Sequence, residues 1–128
     1  MDRKGQKTLE EVTLEVARKY KRYDAEAYRF VFESLDHLIH KLDRRRHVSG
    51  SELSHGIREL ALERFGFLAR IVLESWGVRR TDDFGVMVYH LIEEGVMSKT
   101  DEDRQEDFNG VYDFHEAFDR DYFKPTQK

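Results

Sequence analysis

SGSELSHGIRELALERFGFLARIVLESWGVRRTDDFGVMVYHLIEEG, residues 49–95, carries three amphipathic helical patterns in succession, with start and stop signals between them. Ser49 followed three residues later by Glu52 has the capping-box spacing, and Thr81 ahead of Asp82 and Asp83 marks another start. Gly66, Gly77 and Gly95 fall where helices end. The order helix, helix, short turn, helix is that of helix-turn-helix domains, so nucleic-acid binding is the first function to weigh.

Within this stretch Leu53, Ile57, Leu60 and Ala61 define one face of a helix closed by Gly66. Residues 67–76 are apolar nearly all round, since Phe67, Leu68, Ile71, Val72, Leu73 and Trp76 do not share one stripe. That pattern predicts a segment at the centre of the fold. The helix opening at Thr81 turns Phe84, Met87, Val88, Leu91 and Ile92 inward. Its outward side carries Val86, Tyr89, His90 and Glu93.

Upstream, Thr8 and Glu11 repeat the capping-box spacing ahead of Leu9, Val12 and Val16. A longer helix opens near Asp24 with the stripe Tyr28, Phe32, Leu35, Ile39 and Leu42, widened by Val31 and Leu38. The basic run 41–47, with Arg44, Arg45 and Arg46, follows at its exit, where the helix dipole favours cations. Downstream, residues 96–99 read as a short strand that pairs with 110–113, and Thr100 ahead of three acids starts a brief helix. Asp113 with Glu116 caps a last helix bearing Phe114, Phe118 and Tyr122.

The fold expected is therefore mainly α, a compact multi-helix domain of about six helices, winged-helix-like with a minimal two-stranded β element near 96–99 and 110–113. Residues 1–128 form a single domain on this reading, with 1–7 and 124–128 as frayed tails. Nine Phe, six Tyr and one Trp predict an aromatic-rich core. Charged residues make up 38%, well above the typical share of about 25%, so the surface is strongly solvated. The absence of cysteine excludes disulfides and thiolate chemistry and fits a reducing cytoplasm. With no apolar run near the length of a membrane span, no membrane association is expected.

The strings VSGSELSHGIRELALERFG, WGVRRTDDFG, LIEEGVMSKT and EDFNGVYDFHEAF resemble an uncharacterised bacterial family of about this length, associated with planctomycetes and verrucomicrobia. The resemblance runs from Asp24 to Tyr122. That family carries no assigned activity, so the likeness implies a single natural unit and transfers no cofactor or site residue.

Charge disfavours nucleic acid. The net charge is −4, and the would-be wing holds Asp101, Glu102, Asp103, Glu106 and Asp107 against Arg104. A recognition helix presents Arg, Lys, Asn or Gln to base edges, whereas the outward side here offers Val86, Tyr89 and Glu93. Glu33, His37 and His40 share a helix face, but a helical di-metal site needs Glu-x-x-His motifs on inward faces, so neither metal nor cofactor is assigned. The same holds for His90 with Glu93 and for His115 with Glu116. No nucleophile elbow, phosphate loop or dinucleotide fingerprint occurs, and adjacent Ser54 and His55 point apart on a helix, so no catalytic residue is assigned. Arg64 and Arg70 lie close to apolar faces and need partners, for which Glu63, Glu74 and Asp83 are available. The function read from the sequence is non-catalytic interaction with a protein partner or with itself. The surface assigned to it is Arg44, Arg45, Arg46, Arg79, Arg80, Val86, Tyr89, His90 and Glu93. A helix-turn-helix regulator and a small enzyme without a recognisable motif are the alternatives.

Overall fold

Local side-chain caps start the first three long helices. In a computed structural model, which describes residues 7–42 and 46–120, Thr8 Oγ1 accepts from Glu11 N while Glu11 Oε1 accepts from Thr8 N. This reciprocal pair opens α1 (Leu9–Tyr20). Asp24 Oδ1 accepts from Glu26 N to open α2 (Ala25–Lys41). The Ser49–Glu52 box opens α3 (Gly50–Phe65), which closes at Gly66. A 3₁₀ turn (Gly66–Leu68) leads into the short α4 (Ala69–Ser75), and α5 (Thr81–Glu93) follows. Beyond α5 come a 3₁₀ turn (Gln105–Phe108) and a π-helical segment (His115–Arg120).

The helix α2 is surrounded, packing against α1, α3 and α5. Its deepest face is therefore Ala27, Tyr28, Phe30, Val31 and Ser34, while Phe32, Leu35, Leu38 and Ile39 of the predicted stripe are half-buried. Tyr28, Ile57, Leu73, Phe84, Met87, Leu91 and Phe118 are at most 2% exposed and belong to one continuous core. Each such large apolar side chain contributes about 1.5–3 kcal/mol through burial. A second aromatic group packs beside Phe84, with Tyr112 and Phe114 stacked on each other and both meeting Phe118 edge to face. The Tyr112 hydroxyl donates to Ser54 O at 2.7 Å, which satisfies its only polar atom. Burial pushes its pKa far above the usual phenol value.

The structure corrects three expectations. First, five α-helices rather than six occur among the described residues, and no strand does. The amides that a wing ladder would need are already engaged: Val96 N and Met97 N donate to Leu91 O at the end of α5, Gly110 N donates to Asp82 Oδ1, and Val111 N donates to Thr81 Oγ1. Thr81 is thus the first residue of α5 rather than its cap, and its fully buried hydroxyl pins the 110–111 turn to the helix. Second, the brief helix after Thr100 is only the turn Gln105–Phe108. The last helix is the π-helical segment, opened by Asp113 accepting from Glu116 N, and Tyr122 lies outside the described residues.

Third, residues 67–76 are not the centre of the fold. Ala69 and Leu73, one turn apart, face the core and Trp76 is half-buried, whereas Phe67, Leu68 and Ile71 are 58%, 46% and 56% exposed. Among the described residues the core lies on the side of α4 that carries Ala69 and Leu73, so an all-round apolar sequence leaves Leu68 and Ile71 exposed. Of the expected tails, residues 1–6 and 124–128 lie outside the described part, while Lys7 is placed, with Nζ 2.9 Å from Glu15. No helix among the described residues is long and apolar enough to cross a membrane.

Candidate functional site

The start of α5 is built around a buried carboxylate. Asp83, 7% exposed, accepts from Arg79 N at 2.8 Å and Arg80 N at 3.2 Å through Oδ2. Its Oδ1 accepts from the Tyr23 hydroxyl at 2.5 Å, and Arg22 Nη2 stands 3.5 Å away. The carboxylate thereby fixes the α4–α5 turn and ties it to the α1–α2 turn. Both the side chains of Arg79 and Arg80 remain at exposed positions, but the acids Asp82 and Asp83 sit beside them.

At the other end of α5, His90 is not an outward contact residue. Its ring stacks on Tyr20 at 3.7 Å between centroids and 11° between planes, and Nδ1 is hydrogen-bonded to the Tyr28 hydroxyl at 2.7 Å. The Tyr20 hydroxyl in turn donates to Glu93 and Glu94, and Lys19 pairs with Glu94 at 2.8 Å. Glu93 is exposed and its carboxylate is engaged by α1. The bonds from Lys19 and Tyr20 hold the Glu94 carboxyl below its usual range.

Burial, helped by Arg22 and opposed by Glu93 and Glu94, lowers the pKa of His90. Burial also raises the Tyr28 phenol to about 12, so at neutral pH its hydroxyl stays protonated beside the imidazole. Below the unfolded histidine value of about 6.5 the unfolded chain binds this proton more readily than the folded one. The contribution of His90 is therefore complete above pH ~6.5 and declines as pH falls from there through the lower folded value. Urea titrations at pH 7.5 and 5.5 are expected to show a smaller loss of stability on acidification in His90→Gln than in the parent. An identical loss in both chains contradicts the assignment.

Three further residues of the predicted surface, Val86, Tyr89 and Arg46, are engaged with the rest of the molecule. Val86 and Tyr89 are half-buried against the core, because the turn Gln105–Phe108 packs over α5. Phe108 is wedged between two glycines: a Cβ on Gly50 of α3 would stand 3.0 Å from its ring, and one on Gly85 of α5 would stand 3.0 Å from its Cβ. Only glycine permits this approach of the turn to both helices. Arg46 makes a two-pronged pair with Glu52 at 3.1 and 2.7 Å, which with the Ser49 amide pulls the Glu52 carboxyl down to about 2. Arg44 and Arg45 lie outside the described residues.

Glu33 pairs with Arg64 at 2.7 Å, and His40 Nδ1 donates to Asp36 O. Among the described residues no three His, Asp or Glu side chains are grouped to hold a metal ion. Arg70 takes Glu74, one of its expected partners, together with Asp119 of the π-helical segment at 2.7 Å.

What sequence reading missed is the surface between α2, the end of α3 and Trp76. Phe30, Phe65 and Trp76 form a three-ring cluster with centroids 5.6–5.9 Å apart. They floor a pocket of about 210 Å³ rimmed by Glu26, Arg29, Glu33 and Arg64. Arg29 pairs with Glu26 at 3.1 Å, and the Arg64 guanidinium lies 5.7 Å from the Phe30 ring centre. The exposed apolar side of α4 belongs to the segment that joins Phe65 to Trp76. The all-round apolarity of 67–76, read above as the mark of a centre, belongs to a segment with one exposed side. No family model, curated protein or solved structure matches the chain.

Proposed function

We propose that the chain is a non-catalytic protein-binding module whose interaction face is the outer side of α4, and that the partner it meets there is a second copy of itself. The observation that carries this reading is the exposure of Leu68 in the 3₁₀ turn and of Ile71 on α4, at 46% and 56%, on a segment whose other side is packed. Adjacent exposed large apolar residues mark interaction sites on soluble proteins.

A two-fold contact would join the projecting Leu68 and Ile71 of two copies, and the chain also offers a pocket with an aromatic floor formed by α2, the end of α3 and Trp76. The pocket rim has two arginines and two glutamates. Rotating one rim onto another sets unlike charges opposite each other without net repulsion. The nucleic-acid alternative has lost its wing, and the start of α5 combines its arginines with buried and half-buried acids.

Sedimentation velocity over a wide concentration range tests the reading. The parent chain is expected to pass from monomer to dimer. The double variant Leu68→Glu, Ile71→Glu should remain monomeric at every concentration, with an unchanged far-ultraviolet spectrum and a thermal midpoint within a few degrees of the parent. A parent that stays monomeric at millimolar concentration overturns the reading, as does a double variant that still dimerises.

A further inference from the structure

The two turns that Asp83 ties together each carry a pair of basic residues. Lys21 and Arg22 follow α1, Arg79 and Arg80 precede α5, and all four are exposed. Arg22 Nη2 stands 3.5 Å from one oxygen of the carboxylate whose other oxygen accepts from Arg79 N and Arg80 N, and Asp24 N donates to Trp76 O at 3.0 Å. Two basic pairs far apart in sequence are thereby set side by side.

Most lysines and arginines among the described residues pair with a carboxylate. The side chains of Lys21, Arg79 and Arg80 pair with none of the described residues. The acids of the same turns are engaged instead by backbone amides: Asp24 accepts from Glu26 N, Asp82 from Gly110 N, and buried Asp83 from Arg79 N and Arg80 N. Lys21 also holds a left-handed backbone, φ 55° and ψ 40°, at a helix end where glycine or asparagine commonly stands. The position thus keeps a cation in spite of backbone strain.

We propose that these two turns form a docking surface for a short acidic segment of a protein partner, its carboxylates set against Lys21, Arg22, Arg79 and Arg80. Arginine holds a carboxylate through paired N–H donors. The net charge of the chain is −4, so the attraction is local, reaching about 8 Å at physiological ionic strength. A short acidic segment keeps its charge within that reach. A nucleic-acid duplex, with one charge per ~1.7 Å of axis, runs on past the patch over a chain that is negative as a whole. The surface shares no residue with the exposed α4 face.

Amide-resolved NMR titration of the full chain with a hexaglutamate peptide tests this. Saturable shifts centred on the two turns are expected, with a Kd on the order of 0.1–1 mM at about 10 mM salt. Binding should weaken at least about fivefold at about 150 mM salt, as the Debye length falls from about 30 to about 8 Å. Hexaglutamine should give no saturable shift. The double variant Arg79→Gln, Arg80→Gln should melt as the parent does, because only the main chain of these residues is used internally, and should weaken hexaglutamate about tenfold. Lys21→Gly relaxes the backbone, so its thermal midpoint should be no lower than the parent's while binding weakens about threefold. The proposal is overturned if the shifts fail to saturate or scatter over the surface, if hexaglutamine matches hexaglutamate, or if the double variant binds as tightly as the parent. It is equally overturned if a twelve-base-pair duplex binds the two turns more tightly than the peptide.

Discussion

Replacing Phe108 with alanine is expected to remove about 3–5 kcal/mol of folding stability, the largest single effect on this chain, read as a shifted urea midpoint. Phe108 is 5% exposed, and its ring fills the gap left by Gly50 and Gly85. Two losses add: the transfer of a phenyl group out of water is forfeited, and the two glycines that flank the ring have no side chains of their own to fill the space it leaves. The turn that carries Phe108 also covers Tyr89 and Val86. In the variant, amide hydrogen exchange over residues 97–108 should therefore accelerate beyond the change in global stability. A loss below about 1 kcal/mol would mean that the turn is not docked as described.

The second large effect is expected at Asp83. Changing it to alanine strips the acceptor from the Tyr23 hydroxyl and from the Arg79 and Arg80 amides at once. Leaving buried donors without partners costs about 1–3 kcal/mol each, less where water can enter, so a total loss of about 3–4 kcal/mol is expected. Tyr23→Phe removes only the hydroxyl and should cost about 1 kcal/mol. In a double-mutant cycle the two changes should couple by more than about 0.5 kcal/mol, because they share one hydrogen bond. Strict additivity would show that the Tyr23–Asp83 contact contributes nothing.

These two positions differ in how far they were legible beforehand. Asp83 stands in the first turn of a helix, where an acid is expected, but its use of Tyr23 spans 60 positions of chain and left no mark in the local pattern. Phe108 sat in a stretch dominated by acids and was not assigned to the core. Its signal was the pair of glycines on two other helices, which carries meaning only once the helices are placed. His90 was read as outward from its angle on α5; the residue that covers it, Tyr20, belongs to another helix.

The sequence alone determined where α1, α2 and α3 begin, because a cap is made by residues two or three positions apart whose geometry needs no other element. It also determined the inward faces of α3 and α5, through the 3.6-residue period, while Glu74 was only one of three partners that it offered for Arg64 and Arg70. Tertiary structure decided which side of the all-round apolar segment 67–76 is left in water, and that the amides of 96–97 and 110–111 serve the ends of α5 rather than a β ladder. The physical reason is one of range. Helix periodicity and capping are properties of neighbours in sequence, while burial and the destination of a backbone amide depend on which distant element is brought opposite.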